Sequence, residues 1–205
     1  MTPSTNEWVQ LLDWKRQIFA LYARIRAASD PLVAWEDFRR TRNEMFRRHP
    51  QSPVPGTERE NFTLSYFDYD PAARVLAEVA PAEPAHFEIA TSGEGTYGFT
   101  MVADASFELD GEQQNLELYW LDGYGGGLFL PFRDATAGKE TYGAGRYLFD
   151  TIKGADLGMQ EDRIVLDFNF AFNPSCAYDP RWVCPLAPPP NRIGIPIKAG
   201  ETYTS

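Results

Sequence analysis

The sequence predicts a mainly β protein, an antiparallel β-barrel or sandwich preceded by a helical hairpin. Three observations carry this. Apolar residues recur at helical spacing before residue 49, and the period changes to two from residue 62 onward. No helical pattern separates the later strands, so the crossover helices that a parallel sheet requires are missing. The 205 residues fit one structural domain, with residues 1–50 a helical segment packed on a β domain of residues 51–205.

In residues 5–28, Trp8, Leu11, Leu12, Lys15, Ile18, Phe19, Tyr22 and Ile25 recur at helical spacing, and Thr5 can cap the start. Asp30 followed by Pro31 suits the cap and first turn of a second helix ending near Arg48. Its arginines, Arg39, Arg40, Arg42, Arg47 and Arg48, are offset by Glu36, Asp37 and Glu44, the pattern of a solvated, salt-bridged face. His49-Pro50 and the segment SPVPG then stop helical structure.

Strands are predicted at 62–68, 73–79, 86–91, 97–102, 104–109, 114–121, 127–132, 145–149, 163–172 and 193–198. Asp110-Gly111 is a hairpin signal, because glycine supplies the positive φ that such turns need. In RIVLDFNFAFN, residues 163–173, Ile164, Leu166, Phe168, Phe170 and Phe172 alternate with Asp167, Asn169 and Asn173. A core face against a solvent face is the simple expectation; a polar face lining a cleft is the sharper one. Residues 173–200 carry seven prolines, which remove amide donors and fix φ, so an extended strap is expected. Trp182, Leu186, Ile193, Ile195 and Ile197 need burial along it.

A net charge of −10 repels phosphate backbones and anionic lipid, so neither nucleic acid nor a membrane is the expected partner. No stretch reaches the ~18 apolar residues of a membrane span. The N-terminus lacks a secretory pattern, so a cytoplasmic protein with reduced Cys176 and Cys184 is expected. Oligomeric state is not legible.

Familiar motifs fail on their context. Gly93, Gly95 and Gly98 match a dinucleotide fingerprint, yet a strand-like sequence follows where a helix N-terminus is required. Gly138-Lys139 lacks the upstream glycine and following hydroxyl of a phosphate loop. His49 and His86 are too few for a histidine metal site, and no cofactor is implied. Cys176 or Cys184 could serve as a nucleophile with His86 as base and Arg181 nearby, or Asp134 and Tyr142 as an acid–base pair.

The strongest candidate site combines the polar loop 131–150 with the strap. Arg133 and Arg146 could clamp a small anion, with Asp134, Lys139 and Tyr142 beside them. Asn169, Asn173, Cys176 and Tyr178 would complete it from the strand and strap at 167–192. The alternatives are an internal network in which these arginines pair with nearby carboxylates, and a protein–protein module built on the strap.

The blocks PFRDATAGKETYGAGRYL and LDFNFAFNPSCAYDPRWVCPLAPPPNRIGIPIKAGE resemble an uncharacterised family of bacterial and archaeal proteins, catalogued only as a domain of unknown function. SPVPG and LSYFDYDPAARV resemble its earlier landmarks, so the likeness covers most of the chain. Ser175 and Ala187 stand where the pattern has proline, and Phe172 where it has tyrosine. The resemblance implies no activity, only that the two blocks lie together in space.

Overall fold

A computed structural model describes residues 4–203. Two helices, α1 (Thr5–Ala27) and α2 (Pro31–Arg48), precede seven strands in one antiparallel sheet. The cap of α1 is Ser4 rather than Thr5. The Ser4 hydroxyl accepts from the Glu7 amide while the Glu7 carboxylate accepts from the Ser4 amide, a reciprocal box that places Thr5 inside the first turn. The expected cap of α2 is present: Asp30 accepts from the Leu32 amide at 2.9 Å, and Pro31 occupies the first turn.

The strands are β1 (Arg74–Ala90), β2 (Thr96–Leu109), β3 (Glu112–Leu121), β4 (Leu128–Phe132), β5 (Arg146–Asp150), β6 (Met159–Gln160) and β7 (Arg163–Asp167). Their order is β5-β4-β3-β2-β1-β7-β6, and the sheet is open, so the barrel alternative is corrected. Beyond β4, β5 makes isolated bridges from Tyr147 to Phe172 and from Asp150 to Ala155. Asp110 (φ 53°) and Gly111 (φ 76°) turn β2 into β3, the two positive φ values that the Asp-Gly signal predicted.

Four expected strands merge into two. The segments 73–79 and 86–91 are both β1, whose register against β2 shifts between Pro81 and Ala85. Pro81 and Pro84 carry no amide hydrogen, so the ladder is interrupted while the chain continues. Likewise 97–102 and 104–109 are both β2, with a shift between Met101 and Ala103 against β3. Residues 62–68 make only the bridge Tyr66–Glu201, and 193–198 is not a strand.

The predicted strand 163–172 ends at Asp167. That side chain accepts from the Asn169 amide and starts a 3₁₀ turn over Phe168–Phe170. Residues 164–171 are all buried, so the alternation does not separate a core face from a solvent face. The core joins Leu21, Tyr22 and Phe38 of the helices to Leu116, Leu130 and Phe149 of the sheet and to Phe168 and Phe170.

The strap runs beside residues 133–135. Ile193 donates its amide to the Arg133 carbonyl at 2.8 Å, and Ala135 donates to Ile195 at 3.2 Å. Asn191, fully buried, acts as a surrogate backbone edge. Its amide donates to Glu117 and Pro131 carbonyls at 2.9 and 2.8 Å and accepts from the Glu117 amide at 2.9 Å. At the other end, Ser92 and the Cys184 backbone exchange hydrogen bonds, and Leu186 donates to Ala90. Gly93 permits this approach, since a Cβ there would lie 3.0 Å from a Val183 methyl. Of the glycines that mimic a dinucleotide fingerprint, Gly93 and Gly95 therefore lie in a hairpin tip beside the strap, and Gly98 lies within β2.

Candidate functional site

Two buried arginines organise the region that the sequence singled out. The first, Arg146 on β5, is 1% exposed. It contacts Asp134 at 3.0 Å and the Ile197 and Glu201 carbonyls at 3.0 and 3.3 Å, and donates to the Ala199 carbonyl as well. Asp134 is equally satisfied, accepting from the Thr136 amide and hydroxyl and from the Ile197 amide. Burial pulls the Arg146 guanidinium pKa down and the Asp134 charge opposes it. Arg146 Nη1 and Nη2 are thus engaged by Asp134 and by the Ile197, Ala199 and Glu201 carbonyls, contacts that tie residues 197–201 to β5.

The second arginine is Arg42 of α2, which the sequence grouped with a solvated face. It is buried against Glu201, with Nε 2.8 Å from Oε1. Its guanidinium lies over the rings of Phe38, Phe46 and Phe172 at 4.9–5.2 Å. Glu201, itself fully buried, also accepts from Tyr66, Tyr178 and the Asn173 amide at 2.7–3.1 Å. The other helix arginines follow expectation more closely. Arg40 pairs with Asp37 and Arg48 with Glu44, while Arg39 stacks on Trp35.

The remaining expected site residues divide between these networks and the surface. Arg133 is half-buried and has no carboxylate within 4.0 Å among the described ion pairs. Lys139 is exposed. Asn169 is fully buried and exchanges side-chain hydrogen bonds with the Asp70 backbone, so it fixes a loop. Asn173 donates its side-chain amide to Thr202 at 3.0 Å and to Tyr178 at 3.3 Å.

Cys176 and Cys184 are free and buried. Tyr142 donates to the Cys176 sulfur at 3.7 Å. The Cys184 thiol, with Ser92 and Tyr142, favours ionisation of Cys176, while the same sharing and burial push Cys184 up. The nucleophile scheme loses its expected helpers: His86 is held by Asp122 and Glu88, and Arg181 pairs with Asp179. Among the described residues no group of three or more His, Cys, Asp or Glu side chains is placed to hold a metal.

A mainly apolar cleft lies next to the strap rather than within the 131–150 loop. It encloses about 350 Å³. Its wall on α1 is Leu11, Trp14 and Lys15, and its floor is Phe99, Leu121 and Phe129 of the sheet. The strap closes it with Trp182, Val183, Cys184 and Pro185, and Asp150, Ile152 and Lys153 form one end. Phe99 stacks on Phe129 at 5.1 Å, and Tyr147 meets Phe129 edge-on at 4.8 Å, so the floor is a rigid aromatic cluster. The Trp182 indole nitrogen is buried without an acceptor. Lys15 is half-buried and has no carboxylate partner among the described residues, whereas Lys153 pairs with Asp150 at 2.7 Å.

A smaller chamber of about 60 Å³ adjoins this cleft; Trp14, Asp150, Lys153, Ser175 and Cys184 border both. Sequence reasoning missed both spaces. Strap and helix meet across more than 130 residues, and no local pattern records such a meeting.

The sequence model of a family described as "Protein of unknown function (DUF1684)" matches residues 60–202. A solution NMR structure of an uncharacterised protein from Haloarcula marismortui is similar, with 39% identity and a TM-score of 0.60. The match covers 83% of this chain and 93% of that one. No curated protein matches the chain. Among the described residues no helix is long and apolar enough to cross a membrane.

Proposed function

This chain belongs to the DUF1684 family, and we propose that it binds a small, largely apolar molecule carrying one negative group, in the cleft between α1 and the strap. The observation that carries the reading is the lining of that cleft. Nine of its side chains are large and apolar or aromatic, among them Leu11, Trp14, Phe99, Phe129, Trp182 and Val183. Concave spaces with an apolar lining and a few fixed polar groups are where small ligands bind. Lys15 supplies the positive charge at the wall, a part that Arg146 does not play. The strap contributes Ser175 and residues 182–185, and the 131–150 loop contributes Asp150. A cytoplasmic setting suits the two unpaired thiols, and the acidic surface argues against nucleic acid.

A second reading, thiol chemistry at Cys176, is favoured by one observation: the sulfur is surrounded by the Tyr142, Ser92 and Cys184 donors that stabilise a thiolate. Rapid alkylation of the native protein near neutral pH would support it, and slow alkylation would remove it.

The binding reading is tested by thermal unfolding with straight-chain carboxylates of eight to twelve carbons, followed also through Trp14 and Trp182 fluorescence. Binding to the native state raises the Tm with concentration. The expected result is a saturable rise that Leu11→Glu abolishes while the unliganded Tm stays close to wild type. No saturable change with any chain length would overturn the proposal.

A further inference from the structure

Three residues that line the inner chamber each carry a buried polar atom without a hydrogen-bond partner: the Tyr22 hydroxyl, Arg42 Nη2 and Asn173 Oδ1. Their residues are 1%, 5% and 3% exposed. Nη2 lies 2.6 Å from Glu201 Oε1 but makes no aligned hydrogen bond to it, because Nε already addresses that oxygen. The orientation of Asn173 is fixed by donation to the Thr202 carbonyl, which leaves Oδ1 as the acceptor toward the chamber. Leaving a group such as the Tyr22 hydroxyl or Asn173 Oδ1 unpaired costs about 1–3 kcal/mol, so these two, with the ion-paired Arg42 Nη2 beside them, call for a shared partner.

We infer that this chamber receives a hydroxyl group at the far end of the molecule bound in the cleft; the inference rests on the binding reading above. A hydroxyl oxygen accepts from Arg42 and Tyr22 while its proton goes to Asn173, so one group satisfies all three. The space of about 60 Å³ suits a terminal CH₂–OH. A carboxylate does not suit it. Arg42 is neutralised by Glu201 and Lys153 by Asp150, so a second anion would be buried without a counter-charge and could not donate to Asn173. The acid end of the ligand therefore stays at the wall beside Lys15. The ligand class is an ω-hydroxy acid or another apolar molecule with a distal hydroxyl.

The test compares affinities of ω-hydroxy acids of eight, ten and twelve carbons with the matching plain acids, by calorimetry on the full chain. At the chain length that spans cleft and chamber, the hydroxy acid should bind on the order of tenfold tighter. Tyr22→Phe should reduce that advantage to within about threefold. Plain acids that bind while no hydroxy acid binds tighter would overturn the chamber assignment alone, as expected for a chamber that holds only water. Failure of both series would overturn the cleft reading and this inference with it. The wild-type comparison stands even if Tyr22→Phe fails to fold.

Discussion

Arg146 and Arg42 are both buried, both paired with a carboxylate and both tied to residues 197–202, yet only one faces a space. Arg146 meets Asp134 and three carbonyls, and Asp134 is saturated in return. Arg42 keeps Nη2 without an aligned acceptor, beside Tyr22 and Asn173 in the same condition. Burial and charge are alike in the two regions, so neither separates a lock from a site. Completeness of hydrogen bonding does.

The largest effect should follow from breaking the complete network. Arg146→Met leaves Asp134 buried without its cation and orphans the carbonyls of Ile197, Ala199 and Glu201. Urea unfolding should show a loss of about 3–5 kcal/mol, or failure to fold. Arg42→Met should cost less, about 3 kcal/mol, because Tyr66, Tyr178 and the Asn173 amide still serve Glu201. Equal losses would remove the distinction.

Asp167 supplies a third case, a buried carboxylate with Arg74 no closer than 3.8 Å. Burial pushes its pKa up from 3.8 to about 6, against the lowering effect of the Asn169 hydrogen bonds. The folded state therefore holds a proton that the unfolded state releases, and stability falls as pH rises from about 4 through 6. The full cost above that window is up to about 3 kcal/mol. Asp167→Asn lacks this titration. Unfolding free energies at pH 4 and pH 7 should show wild type losing ground to the variant; parallel curves would contradict the assignment.

The smallest effect belongs to the incomplete region. A buried tyrosine that loses a made hydrogen bond costs roughly 1 kcal/mol. Tyr22 has no protein partner, so Tyr22→Phe should leave unliganded stability unchanged or raise it slightly. A loss of more than about 1 kcal/mol in urea would mean that the hydroxyl is already satisfied.

Much of the fold was legible because its signals are local. Asp30-Pro31 caps α2 and Asp110-Gly111 turns β2 into β3, each within a few residues. The errors are local conflicts decided by the whole. The segments 73–79 and 86–91 read as separate strands, yet β1 continues through a register shift between Pro81 and Ala85 because β2 holds both halves. Asp167 and Asn169 read as one face of a strand, yet both bond internally where the strand ends in a turn. The site was legible only in part. The strap was recognised from its prolines and its aliphatic residues, but Arg42 and Glu201 lie 159 positions apart. Nothing near Arg42 distinguishes it from its exposed neighbours, and packing alone selects it.

The central claim is that the incomplete region is where a ligand enters and the complete one is not. A ¹H–¹⁵N correlation titration with decanoate tests it most directly. Shifts should gather at Leu11, Lys15, the Trp182 indole, Lys153 and Cys184, and leave Thr136, Arg146 and Ile197 unmoved. Shifts centred on Arg146 and residues 134–136, or none at saturating decanoate, would contradict the account.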